Sequence, residues 1–146
     1  HSISPSLSMT TSNLLIGFEH VGMTAGNLDR TIAFYCDLLG LELVLRKRDD
    51  RGELAFLDTG SGMLEVASPR ADIARSRDVP PHEAGMRHLT FAVRSVDAMV
   101  ARLEAAGVEI IERPRPANNT TVLRRLAFFR DPDGIIVELV ERAEGR

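Results

Sequence analysis

Much of the second half of this chain is a second copy of the first. A shift of 68 residues, the separation of His20 and His88, lays Gly17-Phe18-Glu19-His20 on Gly85-Met86-Arg87-His88. The same shift carries Asn27-Leu28-Asp29 onto Ser95-Val96-Asp97, Ile32 onto Val100 and Tyr35 onto Leu103. Further along the shift grows to 73, the separation of Glu65 and Glu138, and sets Phe56 and Asp58 on Phe129 and Asp131. Such a repeat constrains the fold strongly: both copies must build one kind of unit, and each must find a partner for its apolar face.

The unit can be read from periodicity. Leu14 to Met23 suits a strand, and Asn27 an N-cap whose side-chain oxygen accepts from the first helical turn. Leu28, Ile32, Tyr35 and Leu39 recur at helical spacing and predict one apolar face, ended by Gly40. Strands follow at Leu41 to Arg46, Leu54 to Asp58 and Met63 to Ala67, giving the order βαβββ. The second copy repeats it: a strand over Met86 to Val93, Ser95 as N-cap, and Val96, Val100 and Leu103 on one helical face ended by Gly107. Strands over Val108 to Ile111, Arg125 to Phe129 and Ile135 to Val140 follow, with Pro114 to Asn119 expected as a loop and Asp131-Pro132-Asp133-Gly134 as a turn. The expected organisation is a tail over 1–13, a first module over 14–67, a connector over 68–84 and a second module over 85–142. The connector is rich in proline, and a turn of helix is expected around Ile73. Each module leaves one sheet face bare, so the sheets must pair within the chain or across a dimer.

Composition narrows the function classes. With 146 residues, 44% of them hydrophobic, the chain can bury one ordinary core. The net charge of −3 is spread along the sequence, and no basic cluster suits a phosphate backbone, so nucleic acid is not an expected partner. Apolar runs such as Ile135-Ile136-Val137 are too short to span a bilayer, and no membrane partner is expected. The only cysteine, Cys36, reads as a small helical hydrophobe and fits a reducing cytoplasm.

Each copy carries a histidine on its first strand and a glutamate on its last: His20 and Glu65, His88 and Glu138. Around Glu138, alternation puts Ile136 and Val140 on its own face and Val137 and Leu139 on the other. A carboxylate among apolar neighbours needs a partner, because an unpaired buried charge costs several kcal/mol. Two neutral imidazoles and two carboxylates would neutralise one divalent ion. A set of N and O donors without thiolate suits Zn, Ni, Co, Mn or Fe. Met63 and Phe56 read as core or pocket lining. His82, in the connector, has no counterpart in the other copy.

These residues resemble the vicinal oxygen chelate superfamily, which includes glyoxalase I, methylmalonyl-CoA epimerase, bleomycin-resistance proteins and extradiol dioxygenases. The likeness is carried by Phe18-Glu19-His20-Val21-Gly22-Met23, by the helix from Asn27 to Tyr35 running to Leu38-Leu39-Gly40-Leu41, and by Phe129-Arg130-Asp131-Pro132-Asp133-Gly134 leading to Glu138-Leu139. It covers about residues 15–142. The resemblance implies an α+β fold in which paired βαβββ modules form an open half-barrel around a metal, often as a homodimer. It implies His20, Glu65, His88 and Glu138 as the ligands of one divalent ion and a small-molecule substrate with vicinal oxygens. The implied chemistry is that of a lyase or isomerase removing a proton α to a carbonyl, with Glu138 or Glu65 as base. A non-catalytic antibiotic-binding protein and an iron dioxygenase are the alternatives. Glyoxalase I enzymes typically place an arginine four residues after the first histidine and an asparagine four after the first glutamate to hold glutathione. Thr24 and Pro69 stand there instead, which favours the epimerase-like branch and leaves the substrate open.

Overall fold

The computed structural model describes residues 14–145, so the expected tail over 1–13 lies outside the described residues. Two mixed four-stranded sheets, each with one helix, form an α+β fold. The first module comprises β1 (His20–Thr24), α1 (Leu28–Ile32, widening into a π-helical stretch Ala33–Leu38), β2 (Glu42–Asp49), β3 (Gly52–Asp58) and β4 (Met63–Pro69). The second comprises β5 (Leu89–Ala92), α2 (Val96–Ala105), β6 (Ile110–Pro116), β7 (Leu123–Arg130) and β8 (Ile136–Arg142). Strand order is β1-β4-β3-β2 in one sheet and β5-β8-β7-β6 in the other. The first strand of each module runs parallel to its last, which brings the two ends of the repeat side by side.

Local chemistry explains the elements. Asn27 Oδ1 accepts from Arg30 N at 3.0 Å, and Ser95 Oγ from Ala98 N at 3.1 Å, each satisfying an amide that the helix leaves free. Gly40 and Gly107, at φ of 90° and 82°, take the left-handed turn that ends each helix. Val96, Val100 and Leu103 of α2 are buried as their spacing predicts. In α1 the buried face is Leu28, Thr31, Phe34 and Tyr35, whereas Ile32 and Leu39 are half-buried. The wide stretch, where Leu39 N bonds Phe34 O five residues back, rotates Leu39 off the stripe. Thr31 is accepted inside because its hydroxyl faces Asp133 Oδ2.

Several expected boundaries shift. The first strand begins only at His20; Leu14, Leu15 and Ile16 are apolar but exposed and outside the sheet. No helix forms at Ile73. Pro114 and Pro116 lie within β6, not a loop, which an edge strand with an irregular register tolerates. The alignment of β3 with β7 also moves by one residue. Glu65 lies opposite Phe56, and Glu138 opposite Phe128, so Phe56 corresponds to Phe128 and not to Phe129. Phe129 matches Leu57 instead, both wholly buried on the opposite face. A slip of one residue reverses every side chain in a strand, and only this register keeps the apolar face inside.

The modules share one core. Phe34 of α1 meets Phe129 with ring centroids 5.8 Å apart, and Tyr35 meets Phe91 at 6.2 Å. The β7–β8 turn docks polar groups against α1: Tyr35 Oη donates to Asp131 Oδ2 at 2.8 Å, and Asp133 Oδ1 accepts from Gly26 N at 2.9 Å. These bonds fix the strands of one module relative to the helix of the other.

Candidate metal centre

The pleat decides which side chains meet. In β8, Val137 and Leu139 enter the core, which puts Glu138 on the opposite face with Ile136 and Val140. Across the parallel ladder, Glu138 lies opposite Thr90, and His88, two residues earlier, immediately precedes β5. The same arrangement holds in the first module, where Glu65 lies opposite Gly22, two residues after His20. Each histidine is therefore brought beside the glutamate of its own module.

His20 Nε2 stands 3.5 Å from Glu65 Oε1, and His88 Nε2 stands 3.1 Å from Glu138 Oε1. Metal bonds of roughly 2.0–2.2 Å at tetrahedral or octahedral angles set neighbouring ligand atoms about 3–3.5 Å apart. Both pairs have that spacing. His20 Nδ1 lies 2.7 Å from Glu19 Oε1; a carboxylate only accepts, so Nδ1 carries the proton. A neutral His20 then turns a lone pair toward Glu65, and two acceptors facing each other require a cation or a proton between them. The donor set fits a divalent ion. The Glu19 hydrogen bond is also the chief reason the His20 pKa is raised above its ordinary value.

The four side chains form two pairs rather than one cluster: among the described residues, no group of three or more His, Cys, Asp or Glu side chains lies close enough to share an ion. Both His20 and His88 nevertheless line a single cavity of about 1040 Å³. Phe56 packs edge-on against His20 at 5.9 Å, and Phe128 against His88 at 5.2 Å, so each imidazole has an aromatic wall. Met63 and Thr24 line the cavity, and Pro69 does not. Arg77, Arg87 and Arg142 also line it, with no carboxylate paired to them among the described residues. Its aspartates are engaged elsewhere, Asp78 by Arg130 at 2.9 Å and Asp133 by Arg30 at 3.3 Å.

Sequence reasoning missed Glu19, Thr90 and Phe128. A signal for Thr90 existed, since period-two alternation along the expected strand from Met86 to Val93 sets it on the same face as His88. Phe128 was obscured by its neighbour, because either residue of a Phe-Phe pair satisfies the alignment. Cys36 is half-buried, and burial raises its thiol pKa, which suits packing and not nucleophilic attack.

With fold and geometry in place, likeness to known proteins assigns the class. The model of the Glyoxalase/Bleomycin resistance protein/Dioxygenase superfamily matches residues 17–139, and the chain belongs to that superfamily. The uncharacterized protein YaeR of Escherichia coli (strain K12) is 37% identical over 129 residues, 85% of this chain and 95% of its own. A probable lactoylglutathione lyase of Synechocystis is 26% identical over 124 residues, 84% of this chain and 92% of its own. Among solved structures, the glyoxalase family protein from Enterococcus faecalis superposes with a TM-score of 0.71 at 31% identity, covering 88% of this chain and 99% of that one. No helix among the described residues is long and apolar enough to cross a membrane.

Proposed function

We propose that the protein is a divalent-metal-dependent lyase or isomerase of the glyoxalase type, moving a proton α to a carbonyl in a small substrate with two neighbouring oxygens. The observation that carries this reading is the recurrence of one facing His Nε2 and Glu Oε1 pair at equivalent places in both modules. His20, Glu65, His88 and Glu138 would hold the ion. Bound there, it would act as a Lewis acid that stabilises the negative charge left when the proton departs. The identity of the metal, among Zn, Ni, Co, Mn and Fe, depends on supply as much as on ligands.

The remaining steps belong to the chain. Glu65 and Glu138 stand behind the cavity-lining His20 and His88, and one of these carboxylates would take the proton. The edges of Phe56 and Phe128 restrict water around the imidazoles. The guanidiniums of Arg77, Arg87 and Arg142, without a carboxylate partner among the described residues, favour a substrate bearing an anionic group. Thr24 and Pro69 stand where a glutathione clamp is expected, so the reading does not extend to a glutathione adduct.

Two pairs that stay apart in one chain favour a homodimer in which a second copy completes each centre. The exposed Leu14, Leu15, Ile16 and Phe18 supply apolar surface for such contact. The lone, half-buried Cys36 suits a reducing compartment such as the cytoplasm. A second reading, sequestration of a drug or metabolite without catalysis, draws support from the cavity, whose volume is at the upper end for small-molecule sites.

Elemental analysis separates the readings. Protein purified without chelator or nickel resin should carry close to one divalent ion per chain, lost in a His20→Ala, Glu138→Ala double variant. If no metal binds even after reconstitution, the enzyme reading fails and the binding reading takes its place. Iron, with oxygen uptake on a catechol, would point to a dioxygenase.

A further inference from the structure

The two carboxylates of the proposed centre are not held alike. The Glu138 side chain is 9% exposed, and its Oε1 accepts from Thr90 Oγ1 at 2.9 Å while facing His88 Nε2. The Glu65 side chain is 36% exposed and faces His20 at the longer distance of 3.5 Å. The residue opposite Glu138 is Thr90, and the residue opposite Glu65 is Gly22. Gly22 has no side chain to donate, so at Glu65 the hydroxyl of the other module is missing.

We propose that Thr90 is a positioning residue that locks Glu138, making Glu138 the fixed and Glu65 the mobile carboxylate of the centre. This rests on the metal reading above. A hydroxyl donating to a carboxylate fixes the plane of that carboxylate as well as its rotamer, and branching at Cβ restricts where the threonine hydroxyl can point. Hydrogen bonds from outside the ligand shell of this kind are worth about 10–100-fold in metal affinity. Without such a bond and with more room, Glu65 is free to turn toward and away from His20.

Gly22 offers the converse test. A Cβ there would meet Glu65 Oε1 at 3.6 Å, an ordinary contact, and its backbone does not lie in the left-handed region that demands glycine. A Cβ is therefore tolerated there, beside the Glu65 carboxylate.

The experiment measures Zn²⁺ dissociation constants of the full chain by competition with a chromophoric chelator, with thermal melts to confirm folding. Thr90→Val, nearly isosteric, should bind Zn²⁺ roughly 10–100-fold more weakly. Thr90→Ser, which keeps the hydroxyl, should recover most of that loss, and Gly22→Thr should tighten binding. Glu138→Gln should weaken binding more than Glu65→Gln. Wild-type affinity in Thr90→Val, or the reverse order of the two glutamine variants, overturns the proposal and leaves the metal reading standing. No Zn²⁺ binding by the wild type overturns both.

Discussion

In the first module the support falls on the histidine; in the second it falls on the glutamate. His20 Nδ1 is held by Glu19 at 2.7 Å, and the residue matching Glu19 in the second module is Arg87, which cannot accept a hydrogen bond. Glu138 is held by Thr90, and its counterpart Glu65 has Gly22 beside it. Burial accounts for the difference. Glu19 is 71% exposed, so a second carboxylate there stays solvated. Beside the nearly buried Glu138 another charge would carry a heavy desolvation cost, and a neutral hydroxyl gives orientation without it. Equivalent side chains in a duplicated fold therefore acquire unequal supports once their exposure differs.

The largest expected effect tests whether the two pairs act together across chains. His20→Ala with Glu65→Ala destroys the first pair, and His88→Ala with Glu138→Ala destroys the second; each double variant alone should bind no metal. In a dimer that joins the first pair of one chain to the second pair of the other, co-expression of the two variants regenerates one intact centre per heterodimer. Random pairing makes about half the dimers mixed, so about a quarter of wild-type metal content should return, carried by mass action of assembly. No recovery in co-purified heterodimers would mean that both pairs act within one chain.

The repeat, both N-caps and the order of elements could be read from the sequence because each rests on local chemistry: Asn27 and Ser95 supply oxygens to free amides, and alternation puts Glu138 opposite in facing to Val137 and Leu139. Other features have no local signal. The one-residue slip that matches Phe128 with Phe56 arises from pairing with β8, and the widened end of α1 answers to packing of Phe34 and Tyr35 in the shared core. Apolar residues at 14–16 read as a strand, yet the sheet does not extend to them. That His20 meets Glu65, and not the other module's glutamate, follows from the parallel β1–β4 ladder, a long-range pairing that spacing does not encode.

The slip gives the next test, since Leu57 and Phe129 occupy matching buried places in the two sheets, both 0% exposed. Leu57→Ala should destabilise the fold by about 2–5 kcal/mol and Phe129→Ala by about 3–5 kcal/mol in denaturant titrations. Phe129→Ala should also disturb the other module, because the ring it removes meets Phe34 of α1. Fluorescence from Tyr35, beside Phe34, should respond to Phe129→Ala more than to Leu57→Ala. An equal response would argue that the modules pack more independently than this contact implies.

The smallest expected effect concerns the turn that joins the modules. Burial raises the Asp131 pKa above its ordinary value of 3.8, against the opposing pull of hydrogen bonds from Tyr35, Ile135 and Asp133. Between 3.8 and that raised value the folded chain binds more protons than the unfolded chain, so this group adds stability as pH falls through the window and withdraws it as pH rises. In Asp131→Asn the new side chain keeps an acceptor for the amides of Asp133 and Ile135 and can offer its own amide to the Tyr35 oxygen. The substitution should therefore cost no more than about 1–3 kcal/mol near neutrality. Its deficit relative to wild type should widen on acidification toward pH 4, because only the wild type gains the proton-linked term. Asp58, which the sequence alignment set against Asp131, sits in a different environment: it ends β3 and accepts from Gly60 N in an exposed turn. A deficit of Asp131→Asn that stays the same from neutrality to pH 4 would remove burial at the module junction as a source of pH dependence.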